Sequence, residues 1–186
     1  LYGALRGTLD NPDDGFQEAR FISAHMIMLA MEGVPAFYIH SLLSTENDYE
    51  KFAHTNNNRA LNRHNWDMDA LDEILHEDNH HSRIFTELKR LIVLRRAQKA
   101  FHPNAIMFTL HIGDEVIAFW RQSLRRDQSI FCLNNISDKT CEVILSTLNL
   151  VLTEQWQDLL SGEMLKEGQV SLSLRPYQTV WLTNKF

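Results

Sequence analysis

The sequence predicts an α+β chain: one αβ unit of a parallel α/β fold within residues 1–100, then a small antiparallel β domain over residues 101–186. Three observations carry this. An apolar helix pattern runs through a Gly33-Val34-Pro35 turn into the apolar run 35–39, which has the composition of a short strand buried on both faces. A polar stretch, 41–63, follows that run and is too long for a simple connection. Beyond residue 101 the pattern changes to short strand-like runs separated by turn residues.

Composition narrows the classes. The chain has 186 residues, 44% of them hydrophobic, and a net charge of −6. That suffices for one ordinary domain or two small ones. The acidic balance is not gathered into runs, and no basic face supports nucleic-acid binding. No apolar run approaches membrane-spanning length, and no signal-peptide pattern opens the chain. Two cysteines, Cys132 and Cys141, are too few for a disulfide framework, so a reduced, cytoplasmic setting is expected; a single bridge stays open. The opening Leu1-Tyr2-Gly3-Ala4-Leu5 has no cap signal before it, and a piece of a longer protein is expected.

The elements follow in order. Residues 7–14 carry Gly7, Asn11, Pro12, Asp13 and Asp14 and read as a loop. Residues 15–32 read as a helix apolar over more than one stripe, hence deeply packed. His25, Met26, Met28 and Met31 in it are read as packing residues rather than chemistry. The stretch 41–63 holds Glu46, Asp48, Glu50, three successive asparagines (Asn56, Asn57, Asn58), Arg59, Asn62 and Arg63. Its amides and guanidiniums suit a polyhydroxylated ligand, with Tyr49 and Phe52 as anchors; a solvated loop is the competing reading. Asp67 caps a short helix reaching His76. His76-Glu77-Asp78-Asn79-His80-His81 lacks strict ligand spacing and is read as a turn, not a metal site. Residues 82–99 form a helix with Ile84, Phe85, Leu88, Leu91 and Ile92 at three- and four-residue spacing, and cations crowd its second half. Strands are expected at 107–112, 115–122, 128–134, 140–145, 170–174 and 179–182. Asn135-Ile136-Ser137 matches a glycosylation pattern and is read as a turn.

Much common chemistry is absent. No Gly-rich phosphate loop, nucleophile elbow or zinc signature occurs. Carboxylate pairs drawn from Glu46, Asp48 and Glu50 single out nothing.

The wording of particular segments says more. Gly33-Val34-Pro35-Ala36-Phe37-Tyr38, followed by Ser41-Leu42-Leu43-Ser44-Thr45-Glu46-Asn47-Asp48, resembles the eighth barrel strand and following loop of the α-amylase superfamily, family 13 of the glycoside hydrolases. Thr55-Asn56-Asn57-Asn58-Arg59-Ala60-Leu61-Asn62-Arg63-His64 narrows this. It resembles the sucrose phosphorylase branch, nearer its glucosylglycerate phosphorylases. Asp158-Leu159-Leu160-Ser161-Gly162-Glu163 and Leu174-Arg175-Pro176-Tyr177-Gln178-Thr179-Val180-Trp181-Leu182 resemble the end of the carboxyl-terminal β domain of these enzymes.

The resemblance implies that the chain is the last αβα part of a (β/α)8 TIM barrel followed by that β domain. It implies a glycosyltransferase that moves glucose from an α-glucoside to phosphate with retention, through two carboxyl groups about 5 Å apart. In the family the catalytic carboxylates come from the fourth, fifth and seventh barrel strands. This chain begins after the seventh, so no catalytic residue is nominated here, and the chain alone is expected to be inactive. No cofactor or metal is implied. The partners implied are a sugar, inorganic phosphate and the missing amino-terminal barrel segment. Arg59 matches an arginine that pairs with a carboxylate and holds the bound glucose, as a planar fork of donors suits; a loop-bracing salt bridge is the alternative. Asn62 and Arg63 are read as bracing the loop. Asn58 stands where the family often has glycine, and asparagine tolerates the left-handed backbone better than most residues. Two other readings remain: a hydrolase or transglycosidase of the same superfamily, and a non-catalytic interaction fragment.

Overall fold

The computed structural model describes residues 1–148, 150 and 155–185. It divides into two compact units, Leu1–Phe21 with Ala36–Arg90, and Ile22–Pro35 with Leu91–Phe186.

Helices dominate up to residue 101. Helix α1 spans Gln17–Ala30. Its buried positions are Phe21, Ser23, His25, Met26, Leu29 and Ala30, more than one stripe of the helix. Gly33 follows at φ 87°, a backbone that only glycine adopts without strain, and its N–H donates to the Pro103 carbonyl. Helix α2 is a single turn, Ile39–Leu42, and α3 covers Tyr49–Thr55, capped by the Asp48 side chain. Helix α4, Met68–His76, starts where expected: the Asp67 carboxylate accepts from the Asp69 and Ala70 N–H groups. Helix α5 runs Ile84, Leu88 and Leu91 along its buried face within His80–Arg96.

The expected strand over 35–39 does not form. Residues 34–38 belong to no strand or helix, and 39 already belongs to α2. Val34 is 79% exposed and Ile39 54%. The reason is hydrogen bonding. A strand of a parallel sheet needs a neighbour to satisfy its backbone groups, and every strand in the described residues lies at Ile106 or beyond. The polar stretch 41–63 also carries more structure than a loop, since α3 and a 3₁₀ turn, Asn58–Asn62, fall within it.

Among the described residues the β region holds seven strands: β1 Ile106–Leu110, β2 Val116–Gln122, β3 Ser129–Asn135, β4 Cys141–Ile144, β5 Gln157–Asp158, β6 Ser171–Leu174 and β7 Thr179–Thr183. All pair antiparallel, as a five-stranded sheet in the order β1-β2-β3-β7-β5 and a two-stranded sheet β4-β6. The α+β class read from the sequence is the observed one. The two-residue β5 has no sequence signal of its own, because two residues cannot show a period.

Alternation along β2, β3 and β7 divides two packings. Val116, Ala118, Phe131, Leu133, Val180 and Leu182 join Cys141, Val143, Leu174 and Trp156 in one apolar core. Phe119, Cys132 and Trp181 are paired across the three strands and belong to the opposite face. There Phe101 packs on Trp181, with ring centroids 4.6 Å apart. Both cysteines are free and buried, and burial pushes each thiol pKa up.

Two polar residues organise this unit. Asn135 is fully buried, and its amide donates to the carbonyls of Lys139 (2.7 Å), Leu174 (3.2 Å) and Arg175 (2.8 Å). Its Oδ1 accepts from the Ser137 N–H and hydroxyl, which makes Asn135-Ile136-Ser137 a turn with no free amide. Arg121, also fully buried, donates to the carbonyls of Ala30 (2.9 Å) and His102 (3.2 Å). Arg95 donates to those of Leu29 (2.7 Å) and Gly33 (3.2 Å). The two cations thus sit at the carboxyl end of α1, where the helix dipole favours positive charge, and both guanidiniums lie over the Phe101 ring. Burial is the main cause that lowers both arginine pKa values, and for Arg95 the nearby Arg121 adds to it.

Candidate functional site

The segment Asp48 to His64 forms a loop closed at its base. The Asp48 N–H donates to the Leu61 carbonyl at 2.8 Å. The Asp48 carboxylate uses one oxygen to accept from the Lys51 N–H at 2.9 Å and the other to accept from His64 Nδ1 at 3.2 Å. These donors hold its pKa below the ordinary carboxylate value, the Lys51 N–H first and the His64 ring second. Between the ends, α3 packs against the 3₁₀ turn. Asn56 closes α3 in the left-handed region (φ 47°). The Asn57 side chain then accepts from the Arg59 N–H at 3.0 Å and starts the 3₁₀ turn. The left-handed residue is therefore Asn56, not Asn58, which lies inside the 3₁₀ turn.

Arg59 sits on that turn. Its side chain is exposed, and its guanidinium has no acceptor among the described residues, while the next residue, Ala60, is buried. A guanidinium so placed can donate to a carboxylate or to sugar hydroxyls brought to it. Asn62 and Arg63 are tied through their main chains: the Tyr38 hydroxyl donates to the Asn62 carbonyl at 2.9 Å, and Lys51 Nζ to the Arg63 carbonyl at 2.7 Å. Their side chains make no hydrogen bond to the described residues, so the bracing comes from Tyr38 and Lys51.

A second set of contacts fixes the segment just before Asp48. The Thr45 hydroxyl accepts from Trp66 Nε1 at 3.0 Å and lies 3.3 Å from His40 Nδ1. Ser44, fully buried at φ 47°, places its hydroxyl 3.3 Å from His81 Nδ1, which donates to the Leu43 carbonyl at 2.7 Å. Trp66 meets the rings of His64 and His81 edge-on. Burial lowers the His40 pKa, with His64 and Lys51 adding to it, and burial with His81 lowers that of His80. His80 stacks on Tyr2, whose hydroxyl burial pushes up to about 12. Thr45 and His81 lie in segments that the sequence singled out for other reasons, and nothing in the sequence pointed to Trp66.

Asp48 caps and clasps, and Glu50 stands exposed in the first turn of α3. Among the described residues, no group of three or more histidine, cysteine, aspartate or glutamate side chains is arranged to hold a metal ion.

No family model matches the chain. It is 31% identical over 98% of its length to a glucosylglycerate phosphorylase of Allomeiothermus silvanus, and 32% identical over 88% of its length to the one of Escherichia coli K12. It spans about three tenths of those relatives, 30% and 28% of their lengths. Among solved structures, AmyP in complex with maltose superposes on 97% of the chain with a TM-score of 0.73 at 17% identity, the chain covering 37% of AmyP. The α-amylase of Geobacillus thermoleovorans matches 94% of the chain with a TM-score of 0.64 at 13% identity, and the chain covers 34% of it. These two show the fold alone. By its sequence matches the chain resembles the glucosylglycerate phosphorylases over part of their length.

Proposed function

We propose that the chain is the carboxyl-terminal portion of a retaining α-glucosyl phosphorylase, which moves glucose from a sucrose- or glucosylglycerate-type α-glucoside to phosphate and releases glucose 1-phosphate. The observation that carries this is near-complete coverage of the chain by glucosylglycerate phosphorylases, together with an unpaired arginine on a braced turn. In this reading residues 1–100 close the catalytic barrel and residues 101–186 form the β domain. The nucleophile and acid lie on barrel strands outside this chain, and the chain by itself has no turnover. Arg59 binds the glucose unit and pairs with a carboxylate supplied by the rest of the barrel. Asn62 and Arg63 support the turn that carries it. The setting is cytoplasmic, in keeping with two buried cysteines that stay unpaired.

Retention needs a carboxylate to take the glucosyl group and a second carboxyl group to protonate the leaving oxygen, after which phosphate takes the place of water. What Arg59 adds is orientation. A bidentate donor that holds the far side of the ring keeps the anomeric carbon aligned as charge develops on it. In the full-length enzyme, Arg59→Ala should lower kcat/KM for phosphorolysis by about tenfold or more, since a charge-assisted hydrogen bond contributes about 1.5–3 kcal/mol. The melting temperature should hold, because the side chain is exposed. Unchanged kinetics would remove Arg59 from the site. Release of free glucose with no glucose 1-phosphate would make the enzyme a hydrolase of the same superfamily.

A further inference from the structure

We infer that Asp48 is a positioning residue for Arg59, the clasp that sets where the guanidinium stands; this rests on the reading of Arg59 as the glucose-binding group. Asp48 meets the far end of the loop through both its main chain and its side chain. Its N–H reaches Leu61, two residues beyond Arg59, and its carboxylate reaches the His64 ring. The same carboxylate starts α3 through the Lys51 N–H, and α3 carries Lys51 Nζ to the Arg63 carbonyl. These hydrogen bonds, two accepted by the Asp48 carboxylate, one donated by its N–H and one donated by Lys51, gather at the carboxyl end of the 3₁₀ turn, while Asn57 fixes its start. Compact loops of this kind hold their shape by closing their ends and packing their own side chains.

Arg59 needs such support because it has none of its own. Its guanidinium touches no acceptor in the described residues, and only the backbone of its turn directs it. A displacement of about 1 Å in a binding group costs up to about a hundredfold in rate. The side-chain half of the clasp depends on an acceptor at the second oxygen. Asparagine at 48 keeps the acceptor for Lys51 but replaces the charged acceptor facing His64 with an amide, which the ring can meet only as the other tautomer, so it weakens that half alone. Alanine removes both side-chain contacts and leaves the backbone bond to Leu61.

The test is a double-mutant cycle in the full-length enzyme, with phosphorolysis kinetics and thermal unfolding read on Asp48→Asn, Asp48→Ala, Arg59→Ala and the combined variants. Asp48→Ala should lower kcat/KM by about tenfold and Asp48→Asn by less, and in the Arg59→Ala background both effects should vanish. If Asp48→Ala does not fold, the cycle with Asp48→Asn decides alone. Losses that multiply independently of Arg59 would overturn the inference, as would full activity in Asp48→Asn and Asp48→Ala. An inert Arg59→Ala combined with an impaired Asp48→Ala would instead sink the assignment of Arg59 itself, so the two failures are told apart.

Discussion

Replacing Arg121 tests why a cation is buried without a carboxylate. Its guanidinium is inaccessible to solvent and donates to the carbonyls of Ala30 and His102, while its Nε finds no acceptor. The two carbonyls are not equivalent. His102 O also accepts from the Ala105 N–H, whereas Ala30 O, at the end of α1, has no other donor among the described residues. Arg121→Met keeps an apolar stem against Phe101 and removes the charge. It orphans Ala30 O, which costs about 1–3 kcal/mol, and it relieves the burial of a cation beside Arg95. A net loss of about 2 kcal/mol is expected. Arg121→Lys retains the buried charge but loses the planar fork that spans two carbonyls, and an ammonium is more strongly hydrated than a guanidinium. It should cost more than methionine, about 3 kcal/mol or above. Urea unfolding followed by tryptophan fluorescence reads both losses as shifts in midpoint at constant slope. Lysine retaining wild-type stability, or methionine raising it, would refute the argument that the fork holds the end of α1.

Two further outcomes follow from single side chains. Asp127 accepts from the Ser123 hydroxyl and from Lys99 and Lys185, which together hold its pKa well below the ordinary carboxylate range. A lowered folded-state value means that the contribution is complete above the unfolded value near 4 and is lost as pH falls towards the folded one. The gap in melting temperature between wild type and Asp127→Asn should therefore be constant at neutral pH and shrink below about pH 4; a gap that widens in acid contradicts this. Asn135→Asp exchanges an amide that donates to three carbonyls for a buried carboxylate facing them, and about 3–5 kcal/mol of stability should go. A midpoint shift in urea measures it, and a shift within error would show the hub to be dispensable.

How much of this was legible depends on whether a signal is local. Helix α4 was readable because its cap and its apolar spacing lie within ten residues, and the strands from Ile106 onward because alternation and turn residues are adjacent in the chain. The run 35–39 failed as a strand because strand formation depends on neighbours, not on the residues themselves. Apolar composition states what a segment tolerates when paired; no strand of either sheet in the described residues includes this run, and Val34 and Ile39 are largely exposed. Arg121 was invisible for a related reason. An arginine in an apolar strand reads as a surface residue, and only the fold brings the end of α1 to it, ninety-one positions away in sequence.

The loop around Arg59 shows the same limit at a finer scale. The motif Thr55 to His64 marks where an arginine stands, and spacing alone places it on a polar segment. The turn that carries it is tied to Asp48, which lies outside that motif, and to Tyr38, which lies in the failed strand. Tyr38 is half exposed yet bonded through its hydroxyl to Asn62, so the apolar run contributes to the loop through a single polar atom. A side chain's role in such a loop is set by which backbone groups it closes. On that ground the proposed clasp joins Asp48 to Arg59. A cycle in which Asp48 matters only while Arg59 is present measures that coupling directly.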